Sequence, residues 1–165
     1  MVASAAAGWY GRPAIEEAAQ PAAERAFAEA GLSAHRMYSA EVRHAVEVSV
    51  GEADHLTRWL SKRLAAPLRI PELEAQGYTL MGGRLLPAGG LPAAHFLYEK
   101  KDGERLTLYL QPNDQGEATS FRFAEENGTS AVFWREGKLA YAVIGKGDRG
   151  TMLGIASAVY AQLNP

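Results

Sequence analysis

The sequence predicts an α+β fold: a mixed, mainly antiparallel sheet of about six to seven strands, with an N-terminal, a central and a C-terminal helix packed on it. Three observations indicate this class. The segment His55–Leu64 has apolar residues at helical spacing. Residues 78–144 contain short alternating segments separated by Asp-Gly, Asn-Gly and Glu-Gly pairs. A closing segment, residues 148–163, returns to helical spacing.

Composition fits one domain and excludes several functions. The chain has 165 residues, of which 47% are hydrophobic, so it can bury a substantial core. Its net charge of −2 mixes both signs, which excludes the basic footprint expected for binding nucleic acid or an anionic membrane surface. Cysteine is absent, so disulfides and thiolate metal sites are excluded, while the redox compartment is left open.

The first ten residues are mostly small, apolar and uncharged, and a positive charge appears only at Arg12. A secretory signal would carry its positive charge before the apolar run. The pair Trp9-Tyr10 is typical of a membrane–water boundary. Two interpretations stay open: the exit of a membrane helix that precedes residue 1, or an Ala-rich terminus without such a role. No segment of the chain approaches the ~20 apolar residues of a membrane-spanning helix.

The segment Pro13–Met37 is rich in Ala and Glu and is predicted to form the N-terminal helix. Phe27 is its main large apolar residue, and Gly31 is expected to end or bend it. Because its face is mostly Ala, we expect it to pack shallowly, as an outer or linking helix. Residues 1–38 are therefore assigned to a leader and its helix, which are membrane-proximal under the first of the two interpretations above, and residues 39–165 to a single α+β domain.

The segment Glu41–Val50 alternates with a period of two, which predicts a strand with one wet face. Its apolar face comprises Val42, Val46, Val48 and Val50. The central helix is then predicted over His55–Leu64, with Leu56, Trp59, Leu60 and Leu64 on one stripe. Pro67 ends it because a proline ring lacks the N–H that a helix needs. A turn over residues 71–77 leads into a strand over residues 78–86.

Further antiparallel strands are predicted over residues 93–100, 105–111, 121–125, 129–135 and 139–144. In the segment 105–110, leucines alternate with Thr107 and Tyr109, so both faces are largely apolar. This pattern favours an inner strand covered by helices on both sides. The C-terminal helix, residues 148–163, contains Gly154, which we expect to permit a close approach to the sheet.

No residue pattern predicts catalysis, a cofactor or a metal site. Glu41-x-x-His44 has the spacing of half a carboxylate di-iron motif, but that motif needs a helix and this segment alternates like a strand. The histidines form no paired arrangement and are expected at the surface or the core edge. Gly82-Gly83 and Gly89-Gly90 are not followed by the helix of a phosphate loop, so a β-bulge or a tight bend is predicted there.

Arg84 is a charged residue within an otherwise apolar strand. Two roles stay open for it: anion binding in a pocket, or an ion pair at the surface. If the sheet holds a ligand pocket, Arg84, His95 and Tyr109 are the candidates to line it. We expect no enzymatic activity, because no nucleophile–base pair is placed by spacing.

Short motifs are spread along residues 32–163: Val46-Glu-Val48, His55-Leu-x-x-Trp-Leu-Ser-Lys-Arg-Leu64, Gly77-Tyr78, Gly82-Gly-Arg-Leu-Leu-Pro87, Tyr98-Glu99 and Arg105-Leu-Thr-Leu-Tyr109. In these motifs the chain resembles the extracytoplasmic part of bacterial transmembrane anti-sigma factors, also called predicted transmembrane transcriptional regulators. The motif residues, all with expected structural roles, are His55, Leu56, Trp59, Leu60, Arg63, Leu64, Gly77, Gly82, Gly83, Arg84, Leu85, Leu86, Pro87, Tyr98 and Tyr109.

The resemblance implies an architecture in three parts. A cytoplasmic module, which in many such proteins carries a His/Cys/Cys zinc site, binds an extracytoplasmic-function sigma factor. A membrane helix follows, here expected before residue 1, and then a periplasmic domain like this one, anchored to the inner membrane. Because this chain has no cysteine, sigma binding is assigned to none of its residues. The implied partners are that sigma factor, through the absent module, and a periplasmic signal protein or a regulatory protease, with no nucleic acid.

An alternative function stays open beside this one. A sheet with helices on one face can hold a pocket, so the chain could also be a periplasmic small-molecule or protein-binding module with no link to a sigma factor.

Overall fold

The computed structural model describes residues 21–114 and 116–164. Within these residues the fold is α+β, as predicted, with three α-helices and a seven-stranded sheet. The helices are α1 (Ala22–Ser39), α2 (Ala53–Leu64) and α3 (Arg149–Leu163), and short 3₁₀ turns lie at Val50–Glu52 and Glu74–Gln76. The strands are β1 (Val48–Ser49), β2 (Thr79–Ala88), β3 (Leu91–Glu99), β4 (Arg105–Pro112), β5 (Arg122–Glu126), β6 (Thr129–Glu136) and β7 (Leu139–Lys146).

The sheet has the strand order β1-β2-β3-β4-β7-β6-β5, and every neighbouring pair is antiparallel. The three predicted hairpin turns, at residues 101–104, 126–128 and 135–138, are confirmed by the pairs β3–β4, β5–β6 and β6–β7. Asp148 caps α3, since its carboxylate accepts a hydrogen bond of 2.7 Å from the Thr151 amide. None of the helices in the described part of the chain is long and apolar enough to cross a membrane.

Strand β4 separates two parts of the core, as its alternation predicted. Its three leucines at positions 106, 108 and 110 pack with α2 and α3 on one face of the sheet. Tyr109 packs with α1 on the other face, and Thr107 is fully buried beside it. Each buried leucine stabilises the fold by roughly 1.5–3 kcal/mol. Both faces of the sheet are therefore covered by helices.

The central helix α2 is confirmed. Leu56, Leu60 and Leu64 are buried against the sheet, and the partly buried Trp59 packs at the edge of this cluster. The helix ends at Ala65, which adopts a left-handed conformation with φ 53°, just before Pro67.

The predicted strand over Glu41–Val50 is largely wrong. Only Val48 and Ser49 pair with β2, and Val42 is 88% exposed. The alternating valines had the right pattern, but a strand also needs a partner edge. Here the segment pairs with the edge of β2 only at Gly82 and Gly83. Strand formation therefore stops after two residues, and the chain turns into α2.

Gly82 forms the predicted β-bulge. The register of the β2–β3 ladder shifts between Leu80 and Gly82, and Gly82 has φ 150°. A Cβ atom at Gly82 would lie 2.1 Å from the carbonyl oxygen of Val48, so the missing side chain lets β1 approach β2. Gly89 and Gly90 form the tight turn between β2 and β3, both with positive φ.

Helix α1 packs more closely than expected. It does not end at Gly31, where a Cβ atom would lie 2.7 Å from Ile144 Cδ1, and it continues to Ser39. Ala28 and Leu32 are buried against the sheet beside it. Small residues thus bring the helix down onto the sheet instead of holding it away. Trp9, Tyr10 and the beginning of the predicted helix, residues 13–20, lie outside the described residues.

Gly154 of α3 also differs from the expectation. It is exposed, and no atom lies within 4 Å of the position of its missing Cβ. It therefore does not mediate an approach to the sheet, which α3 contacts through Met152, Ile155, Ala156 and Val159.

Candidate functional site

The three pocket candidates lie in one row across the sheet. Arg84 is the register partner of His95, and His95 is the register partner of Tyr109. Because partners in register share a face, all three lie on the face that carries α1. His95 is 0% and Tyr109 is 2% exposed. The structure therefore brings the three together, as part of the interface under α1.

A buried threonine links α1 to this row. Thr107 Oγ1 lies 2.9 Å from Nδ1 of His35, on α1, and 3.1 Å from Nε2 of His95, on β3. All three side chains are buried. We call His35, Thr107 and His95 the imidazole cluster. Sequence reasoning placed the histidines at the surface or the core edge, which holds for the exposed His44 and His55 but not for these two.

The burial of His35 against the sheet could have been predicted from the sequence. His35 follows Ala28 by seven residues and Gly31 by four, so it continues the stripe of α1 that faces the sheet. The sequence contains no such signal for the contact of His35 with His95 through Thr107, because 72 positions separate His35 from Thr107.

Burial holds both imidazoles of the cluster neutral. It lowers the pKa of His35 from 6.5 to about 4, and the positive charges of Arg36 and Lys146 add to this effect. Burial likewise lowers the pKa of His95 from 6.5 to about 3, with Arg84 and then His35 as the further causes. The charged groups that act on the two rings are thus cations, which oppose a further positive charge.

The direction of the hydrogen bonds follows from one unpaired atom. His95 Nδ1 is buried and has no hydrogen-bond partner within the described residues. A buried N–H without an acceptor is costlier than a bare ring nitrogen, so the proton of His95 lies on Nε2 and is donated to Thr107. The Thr107 hydroxyl then donates to His35 Nδ1, and the proton of His35 lies on Nε2. The cluster forms a directed chain from the sheet to the helix.

Arg84 extends this contact to the last turn of α1. Its guanidinium donates to the carbonyl of His44, and its Cζ lies 3.8 Å from the centre of the Tyr38 ring. The Tyr38 ring in turn lies 5.4 Å from the ring of His95, between centroids. Within the described residues no carboxylate pairs with Arg84, so the expected surface ion pair is not formed.

Arg105 holds the C-terminal end of α1. Its Nη1 donates to the carbonyls of Tyr38 and Ser39, at 3.2 Å each, and to that of Glu41. Its Nε pairs with Glu99 at 2.9 Å. A cation is favourable here because the last carbonyls of a helix carry a partial negative charge and lack partners within the helix.

Glu24 holds the N-terminal end of α1. Its side chain is 8% exposed, with Oε1 2.9 Å from Arg135 Nη2 and Oε2 3.5 Å from Arg122 Nε. The carboxylate also lies in the first turn of α1, where the helix dipole favours a negative charge. The helix is thus held by charges at both ends and by the imidazole cluster between them.

A cleft of about 170 Å³ opens beside Glu24. Its apolar lining includes Phe27, Phe133 and Leu91, while Glu24, Arg135 and Gln111 supply polar groups. The sequence candidates Arg84, His95 and Tyr109 do not line this cleft. No sequence pattern pointed to it, because its walls come from α1, from the four strands β3, β4, β6 and β7, and from the loop before β5.

Most of the family-motif residues serve packing or chain geometry. Buried are Leu56, Leu60, Leu64, Gly82, Gly83, Tyr98 and Tyr109; half-buried are Trp59, Arg84, Leu85 and Leu86; exposed are His55, Arg63, Gly77 and Pro87. The Tyr98 hydroxyl donates a 2.7 Å hydrogen bond to the carbonyl of Pro71, which ties the loop after α2 to β3. Gly77, with φ 87°, ends the second 3₁₀ turn.

Among residues 21–114 and 116–164, no three His, Asp or Glu side chains are grouped so that they could hold a metal ion. The chain matches no protein-family model, no curated protein and no solved structure. In this structure, helix α1 is therefore attached to the sheet by the ionic contacts of Glu24, by Arg105 and by the neutral imidazole cluster. A small cleft lies beside Glu24.

Proposed function

We propose that this chain is the extracytoplasmic sensory and regulatory domain of a membrane-anchored anti-sigma factor that controls an extracytoplasmic-function sigma factor. Two things support the proposal. The motifs along residues 32–163 resemble that family. The single observation that carries it is the fastening of α1, which follows directly on the proposed membrane-proximal leader, by the ionic contacts of Glu24 and Arg105 and by the imidazole cluster.

Attachment of α1 to the sheet by polar contacts suits a regulator, because such contacts favour two discrete positions of the helix. A buried ion pair is strongly favourable when complete, but removing one partner costs about 3–5 kcal/mol, since the other charge stays buried and unpaired. Helix α1 is therefore expected to be either docked with all its contacts or released. A signal acts by binding one of these arrangements better than the other. The released helix would change how the cytoplasmic module holds its sigma factor, or expose the leader to a protease.

The Glu24→Gln variant tests the proposal in the native, membrane-anchored protein, with a reporter driven by the sigma factor. Loss of the ionic contact is expected to release α1 and raise reporter output without the natural signal. The Glu29→Gln variant is the matched control, because Glu29 lies on the exposed side of the same helix. Equal reporter output in wild type and Glu24→Gln, at equal protein levels, would contradict the proposal. So would the absence of an adjacent sigma-factor reading frame.

The cleft beside Glu24 favours a second candidate, a periplasmic small-molecule-binding module. Its volume of about 170 Å³ and its apolar lining with three charged residues, Glu24, Asp114 and Arg135, suit a small amphiphilic ligand. A thermal-shift screen against metabolites and oxyanions tests this, since a ligand raises stability by RT ln(1 + [L]/Kd). Ala23→Leu narrows the cleft and should abolish a saturable shift, whereas Ala26→Leu, on the exposed side of α1, should retain it. A screen without saturable shifts would contradict this candidate.

A further inference from the structure

The imidazole cluster is satisfied only while both rings are neutral. The Thr107 hydroxyl carries a single proton, which it donates to one ring while it accepts from the other. A protonated imidazole donates from both ring nitrogens and accepts nothing. If His35 is protonated, the Thr107 hydroxyl proton loses its acceptor, and a positive charge enters a buried interface.

Positive charges around the imidazole cluster further disfavour protonation of its two rings. Arg36 on α1 and Lys146 on β7 act on His35, and Arg84 on β2 acts on His95, so the charges that shift the two rings come from three elements and are positive. The rings of Tyr38 and Tyr109 also face His95. No carboxylate among the described residues forms an ion pair with His35 or His95.

His35, in contrast to His95, is in reach of protons from solvent. It lines a polar cleft of about 420 Å³ together with Ser39, Asp102, Gly103, Glu104, Arg105 and Lys146. The two carboxylates on the far wall are already engaged. Asp102 accepts the Glu104 amide at 2.9 Å, and Glu104 accepts the Tyr78 hydroxyl at 2.8 Å and pairs with Lys100. The cleft therefore gives protons access to His35, while neither of these carboxylates forms an ion pair with it.

We infer that acid releases the C-terminal half of α1 from the sheet: a proton that enters through the cleft onto His35 breaks the shared hydrogen-bond chain, and this end of the helix undocks. The release of α1 is a property of this chain. The interpretation of this release as a response to acidification of the compartment outside the membrane rests on the proposed function.

The sign and size of the effect follow from linkage. An undocked, solvated His35 has the ordinary pKa of 6.5, while the docked ring has a pKa of about 4. The undocked state therefore binds more protons below pH 6.5, and the docked share falls as the pH falls. From pH 7 to pH 5, His35 alone lowers the ratio of docked to undocked helix by about 20-fold.

Hydrogen exchange of the whole chain at pH 7, 6 and 5 tests the inference, after correction for the intrinsic pH dependence of exchange. Amides in residues 31–39 are expected to exchange about 20-fold faster at pH 5 than at pH 7, and at both pH values they should open more readily than amides of β6 and β7, as a local release requires. In His35→Gln this dependence should vanish, because Gln can hydrogen-bond Thr107 and does not titrate. In His55→Gln, which removes an exposed histidine, the dependence should remain.

Exchange of residues 31–39 that is the same at pH 7 and pH 5 in the wild type would overturn the inference, and so would an unchanged dependence in His35→Gln. If His35→Gln fails to fold, ring titration of the wild type by NMR decides. His35 should take up its proton together with the change in α1 amide signals, whereas titration near 6.5 with α1 signals unmoved contradicts release. A sigma-dependent reporter that ignores acid, alongside normal acid release of α1, would count against the proposed function and leave the release standing.

Discussion

Oε1 of Glu24 lies 2.9 Å from Nη2 of Arg135, and this ion pair joins the first turn of α1 to β6 in a setting where Glu24 is only 8% exposed. Oε2 of the same carboxylate approaches Arg122 on β5 at 3.5 Å. Two strands at one side of the sheet thus hold the beginning of the helix. Since the apolar contacts of α1 involve mostly small side chains, its attachment is expected to depend on these charges more than on buried area.

Glu24→Gln is expected to lower the free energy of unfolding by about 3 kcal/mol, because it breaks the contacts of a buried carboxylate with Arg135 and Arg122. Urea unfolding followed by circular dichroism measures the change. Glu29→Gln should stay within about 0.5 kcal/mol of the wild type, since Glu29 is exposed. Equal losses in the two variants would show that the ion pair contributes nothing specific.

Thr107→Val keeps the shape of the side chain and removes the hydroxyl that serves His35 and His95. The expected loss of stability is about 2 kcal/mol, because both buried rings lose their hydrogen-bond partner. Thr107→Ser retains the hydroxyl and should recover most of that loss. If Thr107→Val unfolds at the same urea concentration as the wild type, the cluster is not a source of stability.

Acid is expected to destabilise the whole fold through His35. The folded-state pKa of His35 is about 4 and the unfolded value is 6.5, so this contribution is complete above pH 6.5 and is lost progressively as the pH falls toward 4. By pH 5 the loss from His35 amounts to about 2 kcal/mol. The measurement compares urea unfolding at pH 7 and pH 5 for the wild type and His35→Gln. A pH effect of the same size in both proteins would assign it to other groups, such as the carboxylates.

Gly82→Ala is expected to cost about 3 kcal/mol and to detach β1. The new Cβ would lie 2.1 Å from the backbone oxygen of Val48, and φ 150° strains any residue with a side chain. Gly103→Ala is the control, because it also has positive φ, 88°, but no atom within 4 Å of the new Cβ, so only a conformational cost of about 1 kcal/mol applies. Thermal unfolding of the two variants gives the comparison, and equal melting temperatures would contradict the close approach.

Gly154→Ala is expected to stabilise the protein by about 1 kcal/mol, since the site is exposed, helical and open. The same substitution at Gly31 should give no gain, because its Cβ would lie 2.7 Å from Ile144 Cδ1 in the buried face of α1. Thermal unfolding again measures both. A gain at Gly31 equal to that at Gly154 would show that α1 sits less tightly on the sheet than described.

The elements predicted well are those with strong local signals. The apolar stripe of α2 and the glycine-containing turn pairs between the strands predict their structure from a few residues each. This is possible because helical periods, strand periods and glycine turns depend on local sequence. Glu41–Val50 had an equally clear period, yet only Val48 and Ser49 form a strand. A strand forms only where a neighbouring strand pairs with it, and the local sequence of Glu41–Val50 does not indicate how far that pairing extends.

For the candidate site, the sequence singled out Arg84, His95 and Tyr109 but not the helix that covers them. Their shared face follows from the register of β2, β3 and β4, which joins residues that are far apart in the chain. His35 was treated as an isolated histidine, because nothing near position 35 indicates that Thr107 and His95 lie opposite it.

By itself the sequence determined the α+β class, the helices α2 and α3, the hairpins and the two-sided burial of β4, because periodicity and turn chemistry act over a few residues. Only the tertiary structure decided how closely α1 lies against the sheet, that Glu24 meets Arg122 and Arg135, and that Thr107 serves two imidazoles. These contacts join distant segments, and burial, which sets the charge of the two histidines, exists only once the helix and the sheet have come together.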